Sequence, residues 1–476
     1  MKKIVAWLSI VALVLCMSGG SALAGEPPKV HLLSVVFGSN EIPGTWENDV
    51  AALGGKVVST VPELGFSQIQ ATAKALKGLK QLPYVEALNP AIEWRLPDEQ
   101  AIEADAASSF TDRYWWGLQW DIKRVTQDGA SYELGKGSRD VVVGILDTGI
   151  NAQHVDLKNN LLSGSKNFVP AGYGAGESGD PSAYQDRHGH GSHVAGSIAG
   201  NGNMLGVAPN AGIRAYRVLN ANGSGPSSAI LQGIVAAAND GCDVISMSLG
   251  GVYIHGQAWW TDPETGERTR LGNDVADYVA YMRAMKYATD RGSLVVASAG
   301  NDALNCTTKP TATDLLNAEY GPEGYEFVGA GFKSPAIIPG VLCVSATGPN
   351  DIIATYSNYG PGFIQVAAPG GDSRLWDQYE AEGRLSEYMA RKLYQSEFCL
   401  SANSKGSAGY TWMIGTSMAA PKVSGVAALL VDKYGKMHPK ELTSLLLKQA
   451  VDPVKGNDTW FFGAGHLNAY KALGGK

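Results

Sequence analysis

The sequence predicts an α/β protein with a mainly parallel sheet in three layers, preceded by a small α+β unit. After residue 110, short apolar runs rich in valine alternate with longer runs of helical period. This alternation is typical of parallel strands buried on both faces, with helices packed on either side. Residues 30–95 carry a separate set of strand and helix patterns, which indicates a second folding unit.

The first 24 residues resemble a secretory signal peptide. Residues 2–3 are lysines, residues 4–15 are apolar, and residues 22–24 (Ala-Leu-Ala) fit a cleavage site with small outer residues. The apolar stretch is shorter than a transmembrane helix needs. We therefore expect a secreted protein, extracellular or periplasmic, with no membrane partner. Cys16 leaves a lipoprotein as the alternative, although a bulky leucine precedes it.

The small unit shows strand patterns of period two and helix patterns of period 3.6. Its predicted strands are 30–37, 56–59 and 84–88, and its predicted helices are 46–53 and 68–79. A polar, alanine-rich joint follows between residues 97 and 110, and we interpret it as an exposed linker open to cleavage. The predicted division of the chain is residues 1–24, 25–109 and 110–476.

The large unit shows the alternating pattern from its first strand to its last helix, without an internal repeat or a further unit behind it. The predicted strands are 141–147, 213–219, 243–248, 294–299, 341–346 and 363–367. The predicted helices are 190–199, 227–239, 275–290, 417–432 and 439–449.

Charge and cysteine content limit the partners of the chain. Lys and Arg number 38 against 45 Asp and Glu, and no basic run stands out in a net charge of −7. Nucleic acid is therefore not an expected partner. Four thiols beyond the signal peptide allow three full pairings, and they are Cys242, Cys306, Cys343 and Cys399. Because export permits disulfides, we expect one that involves Cys306.

The segment Gly415–Pro421 (GTSMAAP) places a serine at the start of a predicted buried helix. At a helix N-terminus, backbone N–H groups and the helix dipole favour negative charge. Ser417 is therefore a candidate nucleophile. A serine hydroxyl is weak without an adjacent base, so the remaining parts have to come from elsewhere in the chain.

Asp147 and His190 supply an acid and a base. Asp147 ends a buried strand, where open α/β sheets hold their ligands, and it suits a carboxylate that orients a histidine. A turn-forming aspartate before Gly149 is the alternative. His190 lies in HGHGSHVAG, whose glycines permit close backbone approach. A metal site competes for these histidines, but no His-Glu-x-x-His pattern or cysteine pair accompanies them.

Asn301 follows another buried strand, and its amide can donate to an oxyanion there. A left-handed turn is the alternative for this asparagine. Taken together, the order Asp147, His190, Ser417 and the local motifs resemble the subtilisin-like serine proteases, the subtilases. The resemblance runs from about Trp116 nearly to the C-terminus. The family usually has threonine at the position that follows Gly191, where this chain has serine.

The resemblance implies a subtilisin-like fold and a serine endopeptidase that works through an acyl-enzyme. It implies Asp147, His190 and Ser417 as the catalytic triad and Asn301 as the oxyanion donor. It also implies cleft edges that pair with a substrate strand, for which ordinary turns are the alternative. These expected substrate-binding residues are Gly223, Ser224, Gly225, Ser248, Leu249, Gly250, Ala299 and Gly300. Residues 25–109 would form a ferredoxin-like inhibitory propeptide that the enzyme removes itself.

Some features depart from the family. No cofactor is expected for catalysis. The loop after His190 is short where many subtilases hold calcium, and Asp156 matches one ligand, so calcium stays unassigned. Three apparent insertions are expected beside the cleft and to set specificity, at residues 252–273, 303–335 and 371–407. In the first, Trp259 and Trp260 are interpreted as lining a subsite or forming a surface cluster.

The sequence thus predicts a monomeric, secreted endopeptidase that acts on proteins and peptides with broad specificity and is inhibited by its own propeptide. A processing protease of narrow specificity and a non-catalytic binding protein on the same fold are the alternatives. His193 is expected to pack its helix, and His188 to lie in a loop.

Overall fold

The computed structural model describes residues 30–104 except 73 and 98, and residues 114–476 except 264, 274, 309–310, 334 and 455–457. The predicted signal peptide and residues 105–113 of the predicted linker lie outside the described residues. Within the described part of the chain, no helix combines the length and apolar character needed to cross a membrane.

Strands and helices alternate along the described chain. The strands are β1 (Val30–Phe37), β2 (Lys56–Val61), β3 (Phe66–Thr72), β4 (Val85–Pro90), β5 (Glu93–Arg95), β6 (Gln100–Glu103), β7 (Val142–Asp147), β8 (Lys166–Asn167), β9 (Gly212–Arg217), β10 (Ser224–Pro226), β11 (Val244–Met247), β12 (Val252–Thr261), β13 (Arg268–Gly272), β14 (Leu294–Ser298), β15 (Tyr325–Lys333), β16 (Val341–Thr347), β17 (Val366–Pro369), β18 (Cys399–Ala402), β19 (Tyr410–Ile414), β20 (Val451–Asp452) and β21 (His466–Leu467).

The helices follow the same chain order. They are α1 (Trp46–Ala52), α2 (Ala75–Gln81), α3 (Tyr114–Leu118), α4 (Trp120–Thr126), α5 (Ser131–Leu134), α6 (His190–Ala199), α7 (Ser227–Asn239), α8 (Ala276–Asp290), α9 (Thr311–Tyr320), α10 (Arg374–Ala381), α11 (Leu385–Ala390), α12 (Thr416–Tyr434), α13 (Pro439–Gln449), α14 (Thr459–Phe462) and α15 (Ala469–Ala472). Short 3-10 turns lie at Pro62–Leu64, Gly321–Glu323, Pro335–Ile337 and Leu393–Ser396.

A parallel sheet forms the centre of the large unit. Among the described residues it has nine strands, in the order β20-β21-β17-β16-β14-β11-β7-β9-β8, all parallel to their neighbours except β20. Val143 and Ile145 pack on one side with α6 and α12, whereas Val142 and Leu146 pack on the other with α7 and α8. The predicted three-layer architecture is therefore confirmed, and α6, α7 and α13 begin and end where the periodicity predicts.

Residues 30–95, named here the N-terminal unit, fold around an antiparallel sheet in the order β2-β3-β1-β4. The helix predicted over residues 68–79 is wrong in its first half, because residues up to Thr72 belong to β3 and α2 begins only at Ala75. Ile69 and Ala71 are buried while the exposed Gln70 lies between them. This period of two is that of a strand, and the segment pairs with β1 on one side and with β2 on the other. The pairing outweighs the helical propensity of the segment.

The predicted linker is only partly a linker. Gln100–Glu103 form β6, which pairs antiparallel with β19, and the side chain of Glu99 is buried. The expectation of an exposed linker is therefore wrong for Glu99, whose side chain is buried, and for residues 100–103, which form a strand, because an unpaired edge of β19 offers backbone hydrogen bonds that a polar segment can use.

Two of the predicted insertions form one structure. β12, β13 and β15 make a three-stranded antiparallel sheet, and Trp260, Leu271 and Phe327 pack in one apolar cluster with Leu33 and Trp46 of the N-terminal unit. The interpretation of the tryptophan pair as a subsite is wrong for Trp260, which faces the N-terminal unit. The other tryptophan of the pair lies against the guanidinium of Arg268.

No disulfide joins the cysteines of the described residues, which are all buried, so the predicted disulfide involving Cys306 is wrong. Cys343 lies in β16 and Cys399 in β18, both without solvent exposure. Burial in the apolar interior raises the pKa of both thiols, which keeps them protonated and unreactive.

Candidate active site

Asp147 and His190 meet at the carboxyl end of the central strand. Asp147 is the last residue of β7, His190 is the first of α6, and neither is exposed to solvent. His190 Nδ1 donates a hydrogen bond of 2.7 Å to Asp147 Oδ1. The close approach requires glycine at 191, because a Cβ there would collide with the carbonyl oxygen of Gly149. The pair therefore has the geometry of an oriented imidazole base.

Asp186 anchors the backbone on both sides of this pair, and sequence reasoning missed it. Its Oδ1 accepts hydrogen bonds from the Thr148 hydroxyl and from the backbone N–H groups of His188 and Gly189, at 2.8–3.0 Å. Its Oδ2 accepts from the backbone and hydroxyl of Ser192, at 2.9 and 2.6 Å. The only signal in the sequence is an aspartate four residues before a helix start, and this signal is weak. The burial of Asp186 is visible only in the structure.

Ser417 lies in the first turn of α12 and is fully buried. Its Oγ donates a 3.3 Å hydrogen bond to the carbonyl of Ser248, and the Ser248 hydroxyl donates to the carbonyl of Ser417 at 2.9 Å. This reciprocal pair ties the start of α12 to the segment that follows β11. The serine therefore sits where the helix dipole favours a developing oxyanion.

Asn301 lies beside that helix start. Its side-chain oxygen accepts hydrogen bonds from the backbone N–H and the hydroxyl of Thr416, at 2.9 and 2.8 Å. Because the oxygen is used in this way, the amide N–H groups are directed away from Thr416. The Nδ2 atom lies 3.1 Å from the position that a Cβ atom on Gly415 would occupy. The loop is braced by Asn358, which donates to the carbonyl of Ala299 at 3.0 Å.

The cleft edges predicted from the glycine-rich segments hold a strand of the chain itself. β5 pairs antiparallel with β10, which contains Ser224 and Gly225. On the opposite edge, Arg95 and Gly250 exchange backbone hydrogen bonds of 3.3 and 3.5 Å. The N–H of Leu96 donates to the carbonyl of Gly223 at 2.8 Å. Residues 93–96 thus lie between the two edges in the manner of a bound peptide.

Comparison with known proteins identifies the fold and the chemistry. Residues 138–466 match the subtilase family. The chain belongs to this family. It is a serine endopeptidase with the subtilisin-like fold.

Relatives of this subtilase include two proteases named for peptide processing. The epidermin leader peptide-processing serine protease EpiP of Staphylococcus epidermidis is 32% identical over 445 residues, which cover 90% of each chain. The nisin leader peptide-processing serine protease NisP of Lactococcus lactis subsp. lactis is 35% identical over 375 residues, 78% of this chain and 51% of the relative. The crystal structure of EpiP from Staphylococcus aureus superposes with a TM-score of 0.78 at 29% identity, covering 94% of this chain and 98% of that one.

The subtilase carries one further acid beside His190. Glu99 Oε2 lies 3.3 Å from His190 Nε2, and the glutamate side chain is only 6% exposed. Burial disfavours a charged imidazole, but the carboxylates of Asp147 and Glu99 together hold the pKa of His190 well above its usual value. Glu99 lies in a segment without a local motif, so the sequence offered no signal for it.

The other histidines near the site have structural positions. His193 Nε2 faces the carbonyls of Cys399 and Thr411, each at 3.1 Å. Burial lowers its pKa to about 3, so it is neutral and packs its helix as expected. His188 lies in the loop before α6, where burial lowers its pKa.

Asp156, the residue weighed as a calcium ligand, is engaged within the protein. It accepts hydrogen bonds of 2.7 Å from the backbone N–H of Asn203 and from the hydroxyl of Tyr410. Among the described residues, no cluster of three histidine, cysteine, aspartate or glutamate side chains has the arrangement of a metal site.

Proposed function

We propose that this subtilase is a secreted zymogen that hydrolyses peptide bonds through Asp147, His190 and Ser417, with Asn301 as oxyanion donor. One observation carries the proposal. The 2.7 Å bond between Asp147 and His190 lies at a cleft whose edges already hold an extended peptide segment, and the side chain of Glu99, 3.3 Å from His190, also approaches Gly415, two residues before the buried Ser417. Base, orienting acid, nucleophile and substrate strand therefore converge at one place.

The proposed reaction proceeds by acyl transfer. Ser417 Oγ attacks the peptide carbonyl while His190 Nε2 takes its proton, and Asp147 stabilises the imidazolium. The amide of Asn301 and the backbone N–H of Ser417 donate to the oxyanion. The imidazolium then returns the proton to the leaving amine, which departs and leaves an acyl-enzyme. Water, deprotonated by His190, hydrolyses the ester and releases the acid product.

The N-terminal unit is proposed to be the inhibitory propeptide. Its last strand, β5, occupies the cleft, and Trp94 of that strand is buried against the ring of Tyr281 at 4.6 Å between centroids. A chain bound in this way excludes other peptides from the same edges. Cleavage within residues 97–113 would release it, and the proposed enzyme then begins before Tyr114.

We further propose a narrow substrate range in the mature enzyme, in place of the broad specificity expected from the sequence. Two relatives are named as leader peptide-processing proteases. In the uncut chain a cavity of about 390 Å³ lies between residues 92–97 and Gly300, and the insertion helix α9 contributes Leu316, Glu319 and Tyr320 to its wall. Together with Asp302, this wall adds chain-specific shape and acidity to the cleft.

Intact mass tests the catalytic assignment. Wild type and Ser417→Ala are expressed side by side under identical conditions. We expect the wild type to lose a segment that ends within residues 97–113, while the alanine variant stays uncut, because the hydroxyl is the nucleophile. If both variants are cut alike, the chain is matured by another protease. If neither is cut, labelling by a fluorophosphonate probe decides whether Ser417 is reactive at all.

A digest of a peptide library separates the two substrate ranges. Cleavage confined to one short motif supports the processing protease, and cleavage at many unrelated sequences supports broad degradation. The variant Glu319→Gln is the matched test of the insertion wall. We expect it to change the ranking of peptides without changing reactivity towards a fluorophosphonate, because the side chain lines the cavity and not the triad.

A further inference from the structure

A carboxylate of the chain itself lies against the nitrogen that catalysis uses. Glu99 Oε2 is 3.3 Å from His190 Nε2, at ion-pair distance but without the alignment of a hydrogen bond. The other oxygen, Oε1, lies 2.7 Å from the position that a Cβ atom on Gly415 would occupy. Asn301 Nδ2 lies 3.1 Å from the same position. The Glu99 carboxylate therefore lies between the base and the loop that precedes Ser417.

The position of Glu99 is fixed by strands on both sides. Upstream, Arg95 and Leu96 are held by backbone hydrogen bonds to Gly250 and Gly223. Downstream, β6 pairs with β19 along its whole length, from Gln100 opposite Ile414 to Glu103 opposite Thr411. Because β19 leads directly into Gly415, the same pairing that places Glu99 also borders the helix start that carries Ser417.

This arrangement engages the nucleophile and the base separately. In the reaction, His190 Nε2 has to accept the proton of Ser417. Instead, Nε2 faces Glu99, and Ser417 Oγ donates to the carbonyl of Ser248. An imidazole between two buried carboxylates is stabilised in its protonated form, which is not a base. Asp147, His188, His193 and Tyr356 are other titratable groups that interact with this site.

We propose that Glu99 is a self-inhibitory residue, whose carboxylate binds the catalytic base in the uncut chain and thereby limits the rate at which the chain processes itself. The proposal rests on the proposed protease function. It differs from simple blockage of the cleft, because a single side chain holds the base. Movement of the segment that contains Glu99 out of the cleft would free His190 Nε2 for Ser417. No bond to Glu99 itself has to be formed or broken for this release.

The first test measures processing of the full chain by intact mass over time in wild type, Glu99→Gln and Glu103→Gln. Glutamine keeps the size of the side chain and removes its charge. We expect Glu99→Gln to be processed about tenfold faster, which corresponds to one unit in the pKa of His190. Glu103 is the last residue of β6, the strand that directly follows Glu99, and its side chain is 65% exposed and paired with Lys405, so its variant should match the wild type within about twofold.

The second test separates the electrostatic role from a change in the cleaved sequence. In the Ser417→Ala background, which stays uncut if the hydroxyl is the nucleophile, the low-field imidazole proton of His190 is followed by NMR against pH. We expect Glu99→Gln to lower the pKa of His190 and Glu103→Gln to leave it unchanged. The proposal requires both results. An unchanged titration, or an unchanged processing rate, overturns it.

Failure of the proposed function gives a different pattern. A wild type that neither matures nor reacts with a fluorophosphonate refutes the protease, and the proposal on Glu99 falls with it. A wild type that matures, while Glu99→Gln matures no faster, refutes only the self-inhibitory role.

Discussion

The chemistry of the cleft depends on which atoms of each side chain are already bonded. The side-chain oxygen of Asn301 accepts hydrogen bonds from Thr416. These bonds orient the amide, whose N–H groups are the ones that can donate to an oxyanion. Thr416 Oγ1 also accepts from the backbone N–H of Gly300 at 3.0 Å, and it therefore couples two loops at the site. Thr416 is a positioning residue, whereas Asn301 is proposed to touch the reacting atoms.

Substitutions at these two positions should differ in size. We expect Asn301→Leu to lower kcat about 10²–10³-fold with little change in KM, because the donor acts on the transition state. Thr416→Val should lower kcat about tenfold, because it removes the two hydrogen bonds of the hydroxyl, to Asn301 and from Gly300, but keeps the shape and the backbone hydrogen bond to Asn301. Steady-state kinetics on a fluorogenic peptide give both values. Equal losses for the two variants would contradict the distinction.

The raised pKa of His190 predicts a difference in pH dependence between the uncut and the mature enzyme. The base has to be neutral, so processing should accelerate as pH rises through the pKa that Asp147 and Glu99 hold above its usual value. When the segment that contains Glu99 leaves the cleft after cleavage, the pKa of His190 falls. Peptide hydrolysis by the mature enzyme should therefore have its acidic midpoint at lower pH. Rate–pH profiles for both reactions check this, and coincident midpoints would contradict it.

At this scale, local patterns predicted some residues and not others. Asp147, His190, Ser417 and Asn301 each follow a buried strand or open a buried helix, so their surroundings could be anticipated from adjacent residues. The contact of Glu99 with His190 spans 91 positions and depends on the pairing of β6 with β19. The local sequence of a polar segment gives no indication of a partner that is so distant along the chain.

At the scale of elements, predictions were best where one periodicity acts alone. The long helices of the large unit repeat their apolar residues over three turns or more, and their limits agree with the structure. Errors occur where pairing decides the outcome, as in β3 and β6, since a strand partner is supplied by another part of the chain. The predicted strand 363–367 likewise begins only at Val366, where it meets β16.

A buried ion pair joins α4 to α12, the helix that carries Ser417. Lys422 Nζ lies 2.7 Å from Asp121 Oδ2, both side chains are fully buried, and the ammonium also donates to the carbonyl of Met418 at 2.9 Å. Burial alone would lower the pKa of Lys422, but Asp121 reverses the effect and raises it. The start of α12 is therefore stabilised by a charge from a helix far away in sequence.

Removal of that charge should destabilise the fold strongly. We expect Asp121→Asn to lower the free energy of unfolding by about 3–5 kcal/mol, because it leaves a buried ammonium without its counter-ion. Lys286→Ala breaks an exposed pair with Asp290 and should cost less than about 0.5 kcal/mol. Urea unfolding in the Ser417→Ala background, which avoids self-digestion, measures both. A stability of Asp121→Asn equal to that of the Lys286 variant would refute the expectation.

At the scale of the whole molecule, the insertions enlarge the surface that the N-terminal unit covers. The sheet of β12, β13 and β15 shares an apolar cluster with the strands and helices of that unit. The sequence predicted these segments to lie at the cleft, because insertions near a catalytic motif are usually assigned to specificity. Helix α9 does line the cavity beside Gly300. The contact of the sheet with the N-terminal unit could not be predicted, because it follows from tertiary packing between apolar faces whose partners are more than 150 residues apart.

A buried carboxylate makes polar contacts across this surface. Asp277 accepts hydrogen bonds from Ser34 at 3.0 Å and from Asn89 at 2.6 Å, and Asn89 in turn accepts from the backbone N–H of Ala276 at 2.7 Å. Burial raises the pKa of Asp277. Asn89 therefore satisfies both a carboxylate and the start of α8 from the opposite unit.

Release of the N-terminal unit after cleavage should depend on this contact. We expect Asn89→Ala to accelerate release about 5- to 100-fold, because two buried groups lose their partner at about 1–3 kcal/mol. Lys77→Ala is the matched control, since its pair with Glu267 is more than half exposed on both sides and should change the rate by about twofold at most. Size-exclusion chromatography of the cleaved complex over time, with onset of peptidase activity as a second signal, measures the rates. Release of Asn89→Ala at the wild-type rate would place the energy of the interface in the apolar cluster alone.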